Sequence, residues 1–345
     1  MVDDAGTLPG LGLLPNGVPT RVIRGYDLDR WHHRTPDHIA RAARDIAESS
    51  LLTVGIATLP LPTSLGPLVE ALTITVAGPD IDNTDRRVVT MADPGAGLDT
   101  IAEAARACPQ TCVAAGRLLR QTPLLEVASG LAAEAAVYSM LLGGKEFAAW
   151  LARQTARPAT SAPDRQLVRL DRDGARLSIV LDHPQRRNAF SFRMREELLA
   201  ALELAELDDS ITDIGLSGTG PVFCSGGDLA EFGTSSDPVA AFLVRLDRAP
   251  WRHIDRLRDR ISVRIDGAAI GAGIELATFA GRVVAAPDAV FLLPEIRMGL
   301  VPGAGGTVSI PRRIGRWRAA WMAFSGAPVD AETALHWGLI DSIAS

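Results

Sequence analysis

The most constraining stretch of this sequence runs from Gly271 to Thr307, GAGIELATFAGRVVAAPDAVFLLPEIRMGLVPGAGGT. Two glutamates, Glu275 and Glu295, stand in it twenty positions apart among apolar and small residues. An ionised carboxylate in such surroundings is expensive unless something binds it. Glycine and alanine crowd in front of Glu275, and a second glycine cluster, Pro302 to Gly306, follows Glu295. Small residues let a backbone approach a ligand closely, and a helix opening there directs free N–H groups at it. Two carboxylates beside converging amide donors suit chemistry in which protons move and negative charge builds on an oxygen. One glutamate alone reads as a surface residue of an amphipathic element. Two, each tied to a glycine cluster, shift the reading to a site.

Around this stretch the second half of the chain alternates strands with helices. Leu167–Leu170 and Ala175–Leu181 flank Asp173-Gly174, a hairpin signal. Ser191 starts a helix with a leucine stripe through Leu207, and Asp213–Ser217 reads as a buried strand. Pro221–Phe232, PVFCSGGDLAEF, reads as a glycine turn opening a helix. Trp251–Arg260 follows as an amphipathic helix and Ile261–Ile265 as the next strand. The pattern predicts an α/β fold with the site at the strand ends.

The first half has strands and helices but no comparable constellation. Residues 1–30 read as irregular, a helix begins at Thr35, and Leu51–Thr58, Thr73–Ala77 and Arg87–Met91 read as strands, with a helix at Leu65–Leu72. Helices are expected at Leu98–Ala107, Gln110–Arg120, Leu124–Leu142 and Lys145–Gln154. Glu134, inside the alanine- and leucine-rich third of these, and the His32–His33 pair read as structural. Two prolines and small polar residues mark a boundary, so the expected division is 1–157, a linker at 158–166 and 167–345.

Composition narrows the classes. Apolar residues are 47% of the 345, and the net charge is −6, which fits a soluble globular chain and offers no basic face for nucleic acid. Cys108, Cys112 and Cys224 are too few for a disulfide framework and have no partners for a metal site, so reduced thiols in a cytoplasmic protein are expected. The N-terminus lacks a basic n-region, and no apolar run approaches the roughly 20 residues of a membrane span.

Four stretches of the second half resemble the crotonase (enoyl-CoA hydratase/isomerase) superfamily: Arg186–Phe190 (RRNAF), Val222–Leu229 (VFCSGGDL), Asp266–Ala277 (DGAAIGAGIELA) and Pro294–Thr307 (PEIRMGLVPGAGGT). They occur in family order and spacing, and Ser325–Asp341 resembles the family's late helical segment. The resemblance implies a spiral of repeated ββα units with a second α/β domain in front of it. It also implies an acyl-CoA thioester as substrate, no separate cofactor or metal, and a homo-oligomer, trimer or hexamer. The oxyanion hole falls on the backbone N–H groups of Gly227 and Ala272, the latter replacing a glycine usual in hydratases. Substrate-binding positions fall on Arg187, Ala189, Ser225, Gly226, Asp228, Leu229 and Gly303. Glu275 and Glu295 match both catalytic glutamates of the hydratases, so the expected reaction is addition of water to a 2-enoyl-CoA. Another reaction of the superfamily, such as double-bond isomerisation, and a non-catalytic acyl-CoA-binding subunit are the alternatives. A serine hydrolase fits poorly, since no G-x-S-x-G elbow surrounds Ser225.

Trp251, Phe291, Met298 and Phe324 are candidates for an acyl pocket, with core packing as the other reading. Family members continue past the position of Asp341 with a helical tail, whereas this sequence ends at Ser345. Cys108–Leu151 resembles that tail, so the first half is expected to be a degenerate crotonase-like domain whose helices supply it. An unrelated helical appendage is the alternative.

Overall fold

The computed structural model describes residues 10–154, 164–234 and 237–344. In the first half, β1 (Ile23–Asp27), β2 (Leu52–Ala57), β3 (Ile74–Ala77) and β4 (Val88–Thr90) form a parallel sheet in sequential order. The helices α1 (Pro36–Glu48) and α2 (Gly66–Ala71) connect its strands. Thr35 caps α1 by accepting from the His38 N–H, as the Thr-Pro start predicts. β2 and β3 are buried along almost their whole length, which suits the unbroken apolar runs of a parallel sheet covered on both faces. β1 corrects the reading of residues 1–30 as irregular: IRGYD has little apolar pattern of its own and is recruited by register against Leu52–Ile56.

Four helices complete this half: α3 (Pro94–Ala107), α4 (Pro109–Gln121), α5 (Val127–Leu142) and α6 (Lys145–Ala152). α5 is apolar on nearly every side, and it is buried along the faces that meet its neighbours while Met140 stays exposed. It packs between α4 and two helices of the second half. The linker expected at 158–166 lies outside the described residues up to position 163.

The second half opens with the hairpin β5 (Val168–Asp173) and β6 (Arg176–Leu181). Asp173 pairs with Arg176, so its two-residue loop is Gly174-Ala175, one position beyond the signal in the sequence. Ser191 caps α7 (Phe192–Leu207), accepting from the Met194 N–H. Then come β7 (Asp213–Gly218), β8 (Val222–Cys224), α8 (Pro238–Asp247), α9 (Pro250–Arg256), β9 (Ile261–Ile265), β10 (Ala268–Ile270) and α10 (Ala272–Ala277). β11 (Arg282–Ala285), β12 (Val290–Leu292), α11 (Gly306–Ser325), β13 (Val329–Asp330), α12 (Ala331–Trp337) and β14 (Ser342–Ile343) follow.

β7, β9 and β11 lie parallel in a six-stranded sheet of order β14-β11-β9-β7-β6-β5. The strands that follow each of them, β8, β10 and β12, lie parallel in a second sheet of order β13-β12-β10-β8. Each circuit of the chain thus adds one strand to each sheet and then a helical segment, giving the expected spiral of ββα units. One expectation fails here: Val222–Cys224 runs into turns, not a helix, and the helix comes later as α8. Those turns are needed because the chain passes beside Phe190, whose N–H donates to the Gly226 carbonyl at 2.7 Å.

The two halves share one apolar core. It runs from Leu52, Ile74, Ile101 and Leu118 through Leu131 to Phe291, Ile314 and Phe324, while a smaller cluster around Trp31, Ile46 and Leu68 belongs to the first half alone. α11 packs against α3, α4 and α5 as well as β3 and β4. Polar bonds cross the same boundary: Thr122 Oγ1 donates to the Thr307 carbonyl at 2.5 Å, and Arg316 to the Leu72 carbonyl at 3.0 Å.

Candidate active site

β8, β10 and β12 are parallel neighbours, so their carboxyl ends open on one edge of the small sheet. The segments leaving those ends carry Gly227, Ala272 and Glu295 in turn. Glu275 lies one turn into α10, and the glycine cluster from Pro302 leads into the start of α11. Strand register therefore collects residues that the sequence keeps up to 76 positions apart, Gly227 to Gly303, around a cavity of about 580 Å3. Gly227, Asp228, Ala272, Glu275, Glu295 and Gly303 all line it.

Gly271 is the hinge of the arrangement. Its φ is +50°, and a Cβ there would strike Oε1 of Glu295 and lie 3.9 Å from Oε1 of Glu275. The two carboxylates thus converge over a residue that has room for them only as glycine. Ala272 opens α10 and Gly227 sits in the turn after β8. Neither amide donates a hydrogen bond within the described residues, and both residues border the cavity. A first-turn helix N–H has no partner inside its own helix, so it is available to a ligand oxygen.

The carboxylates differ in how they are held. Glu275 is 2% exposed, and its Oε2 accepts from the N–H groups of Ala304 (2.7 Å) and Gly306 (2.9 Å). Glu295 is half-buried, but its Oε2 is sealed from solvent and has no hydrogen-bond partner. Burial pushes Glu295 up to about 8, and the nearby Glu134 charge adds to this. Glu275 is also raised well above the usual carboxylate range, first by burial and then by the charges of Glu295 and Glu134, against the two amides that favour its ionised form. Like charges this close cannot both ionise cheaply, so the pair carries a proton at neutral pH. One member can then give a proton while the other takes one.

The remaining predicted positions frame the cavity without lining it. Ser225 donates its N–H to the carbonyl of Arg187 at 3.0 Å, joining these two stretches. The Arg187 side chain is exposed, Ala189 is buried, Leu229 is half-buried, and Gly226 bonds the chain to Phe190. Asp228 does reach the cavity, and it is held by Arg186 at 2.6 Å. Of the four acyl-pocket candidates only Trp251 lines the cavity. Phe291 and Phe324 are 0% exposed and Met298 is buried, so these three are core. The apolar wall comes instead from Phe190, Phe232 and Tyr138. Phe232 belongs to an aromatic cluster with Phe147 and Trp150 of α6.

Three residues of the site escaped sequence reasoning. Asn188, fully buried, accepts from the His183 N–H and donates to the carbonyls of Thr219 and Val222, fixing the loop before α7. Arg245 of α8 lies 3.6 Å over the Tyr138 ring and donates to the Gly303 carbonyl at 2.6 Å. Glu134 accepts from Gly305 and Thr307 next to Glu275. Asn188 had a signal in its place within the RRNAF run and Glu134 as a lone acid in an otherwise apolar helix, whereas Arg245 had none. Among the described residues no group of three or more His, Cys, Asp or Glu is arranged to hold a metal ion.

The chain is similar to several known proteins. A 2,3-dehydroadipyl-CoA hydratase of Escherichia coli (strain K12) is 34% identical over 167 residues, 48% of this chain and 65% of that protein. A 1,2-epoxyphenylacetyl-CoA isomerase of the same organism is 34% identical over 168 residues, covering 48% and 64%. The chain thus spans 64–65% of the length of these curated relatives. The solved enoyl-CoA hydratase from Thermoplasma volcanium GSS1 is 33% identical over 52% of this chain and 72% of that one, with a TM-score of 0.48. The family model described as Enoyl-CoA hydratase/isomerase matches residues 172–345, half of the chain and every element that builds the cavity edge from β8 to α11, and the chain belongs to that family, the crotonase superfamily.

Proposed function

We propose that this protein hydrates the double bond of a 2-enoyl-CoA thioester. The observation that carries the reading is the convergence of Glu275 and Glu295 over Gly271, on a cavity edged by the amides of Gly227 and Ala272. The thioester oxygen would lie against those amides. Glu275, whose Oε2 is anchored to two N–H groups, takes a proton from water as the oxygen of that water bonds to Cβ. The electron pair of the double bond moves through Cα onto the thioester oxygen, making an enolate that the two amides hold. Glu295, with an unpartnered oxygen and a raised affinity for its proton, delivers that proton to Cα as the enolate collapses. The sum is water across the double bond, and the carboxylate pair regains its starting state by passing one proton between its members.

A double-bond isomerase is the second reading, favoured by 35% identity over 176 residues to an enoyl-CoA isomerase/hydratase of Mycosarcoma maydis. Incubation with a 2-enoyl-CoA separates them: hydration removes the conjugated absorbance and yields the 3-hydroxyacyl-CoA. Conjugated substrate left without hydroxyacyl product would reject the hydratase reading.

We also propose that α4, α5 and α6 serve as the tail that relatives carry after their last strand. In support, α5 and α6 bring Tyr138, Leu142, Phe147 and Trp150 to or behind the cavity wall. Residues 161–345 expressed alone would expose the α11 face that α3, α4 and α5 cover. That fragment is expected to aggregate on size exclusion, and adding residues 1–158 in trans should restore solubility. A soluble, active fragment would show that the first half is dispensable.

A further inference from the structure

We propose that Glu134 is a positioning residue for the reaction, clamping the glycine turn on which Glu275 is anchored and setting a third carboxylate beside the pair. The inference rests on the hydratase reading above. Four successive amides of the turn are shared between two carboxylates. Ala304 and Gly306 donate to Glu275, while Gly305 and Thr307 donate to Glu134, at 2.7 and 2.9 Å. The Thr307 hydroxyl adds a bond to Glu134 at 2.7 Å. The turn is therefore stretched between two buried carboxylates that grip alternate residues, one from each half of the chain. Glu134 is 2% exposed and uses both oxygens as acceptors, a task for which a glutamine has one oxygen too few.

Displacing Glu134 would release the turn and with it the anchor of Glu275. A misplacement of about 1 Å in a catalytic group can lower turnover about 10²-fold. The charge acts as well. The groups facing the cluster are Glu134 and Tyr138 from α5, Arg245 from α8, Cys224 from β8, Glu275 from α10 and Glu295 after β12. Burial pushes Glu134 itself up to about 7, against the bonds from Thr307 and Gly305 and the Arg245 charge that favour its ionised form; once ionised, it raises both partners of the pair. Removing the Glu134 charge should therefore move the titration of the pair to lower pH.

The test uses the full chain with 13C-labelled glutamate carboxyls, with Glu275 and Glu295 assigned from their glutamine variants. In Glu134→Gln the two midpoints should fall by about one unit or more. The kcat should fall about 10²-fold, with KM for enoyl-CoA changed far less. Thr307→Val keeps side-chain shape and removes one bond to Glu134. It should lower kcat about tenfold, the weight of one hydrogen bond to a charged group. It should also shift the pH profile of kcat. A folded Glu134→Gln with wild-type midpoints and kcat would overturn the proposal. If that variant does not fold, a folded Thr307→Val with an unaltered kcat and pH profile would do so. Should the wild-type protein hydrate no enoyl-CoA, the hydratase reading fails on its own, and the carboxyl titration still tells whether Glu134 governs the pair.

Discussion

Glu295→Gln is expected to lower kcat for hydration by about 10²–10⁴-fold, the usual contribution of a positioned acid or base. The substitution keeps volume and shape but removes the proton that the reaction must deliver to Cα. Affinity for the CoA thioester should be nearly unchanged, since the cavity wall and the Gly227 and Ala272 amides are untouched. Glu275→Gln should be as damaging for the opposite reason, because an amide cannot take a proton from water. It can still accept from Ala304 and Gly306 through its oxygen, so the turn should hold. Steady-state kinetics and calorimetric binding of a saturated acyl-CoA separate the two effects. Full activity in either variant would sink the hydratase assignment. Stability gives an independent check. A carboxyl with a raised pKa binds its proton more tightly folded than unfolded, so it favours the native state at low pH and loses that advantage as pH rises. For Glu295 the loss spans the interval from 4.5 to about 8. Glu295→Gln, which has no charge to bury, should melt higher than wild type above pH 8, and by a margin that shrinks towards pH 4.5.

The second large effect is expected at Gly227. A Cβ there would lie 2.8 and 3.1 Å from two ring atoms of Phe232. Phe232 cannot retreat freely, because Phe147 and Trp150 pack against it. Gly227→Val should therefore tilt the turn that aims the Gly227 N–H, and removal of one oxyanion donor lowers kcat about 10²–10³-fold, or about 2.7–4 kcal/mol of barrier. The accompanying overpacking should destabilise the fold by about 1–3 kcal/mol, which leaves it populated. Kinetics on the soluble variant, with a thermal melt beside it, decide the matter. Wild-type kcat in a folded Gly227→Val would show that this amide holds no developing charge.

Much of the fold was legible because local rules and tertiary structure agree there. Thr35 and Ser191 cap their helices, and the apolar run of β2 is a strand buried on both faces. Reading failed where the deciding partner is distant. β1 exists through its pairing with β2, and the PVFCSGGDLAEF stretch is held in turns by the backbone of Phe190. Phe291, Phe324 and Met298 look no different from Trp251 in sequence. They are core because β12, α11 and the turn after β12 face the interior there, while α9 borders the cavity.

The sequence by itself determined an α/β alternation and singled out two glutamates, each beside a glycine cluster, while the spiral of ββα units came from its resemblance to a family. The first two depend on local pattern: apolar strands between helices, and acids beside glycines that no ordinary surface element requires. What only the tertiary structure decided is the company those glutamates keep. Glu134 and Tyr138 lie more than 130 positions before Glu275 in the chain, on a helix marked in sequence by its apolarity and its likeness to a family tail and by nothing that places it at the site. Packing of α5 against α11, driven by the area both must hide from water, carries an acid to the amides of Gly305 and Thr307. A buried carboxylate must find donors, and the glycine turn supplies two bare amides that Glu275 leaves free.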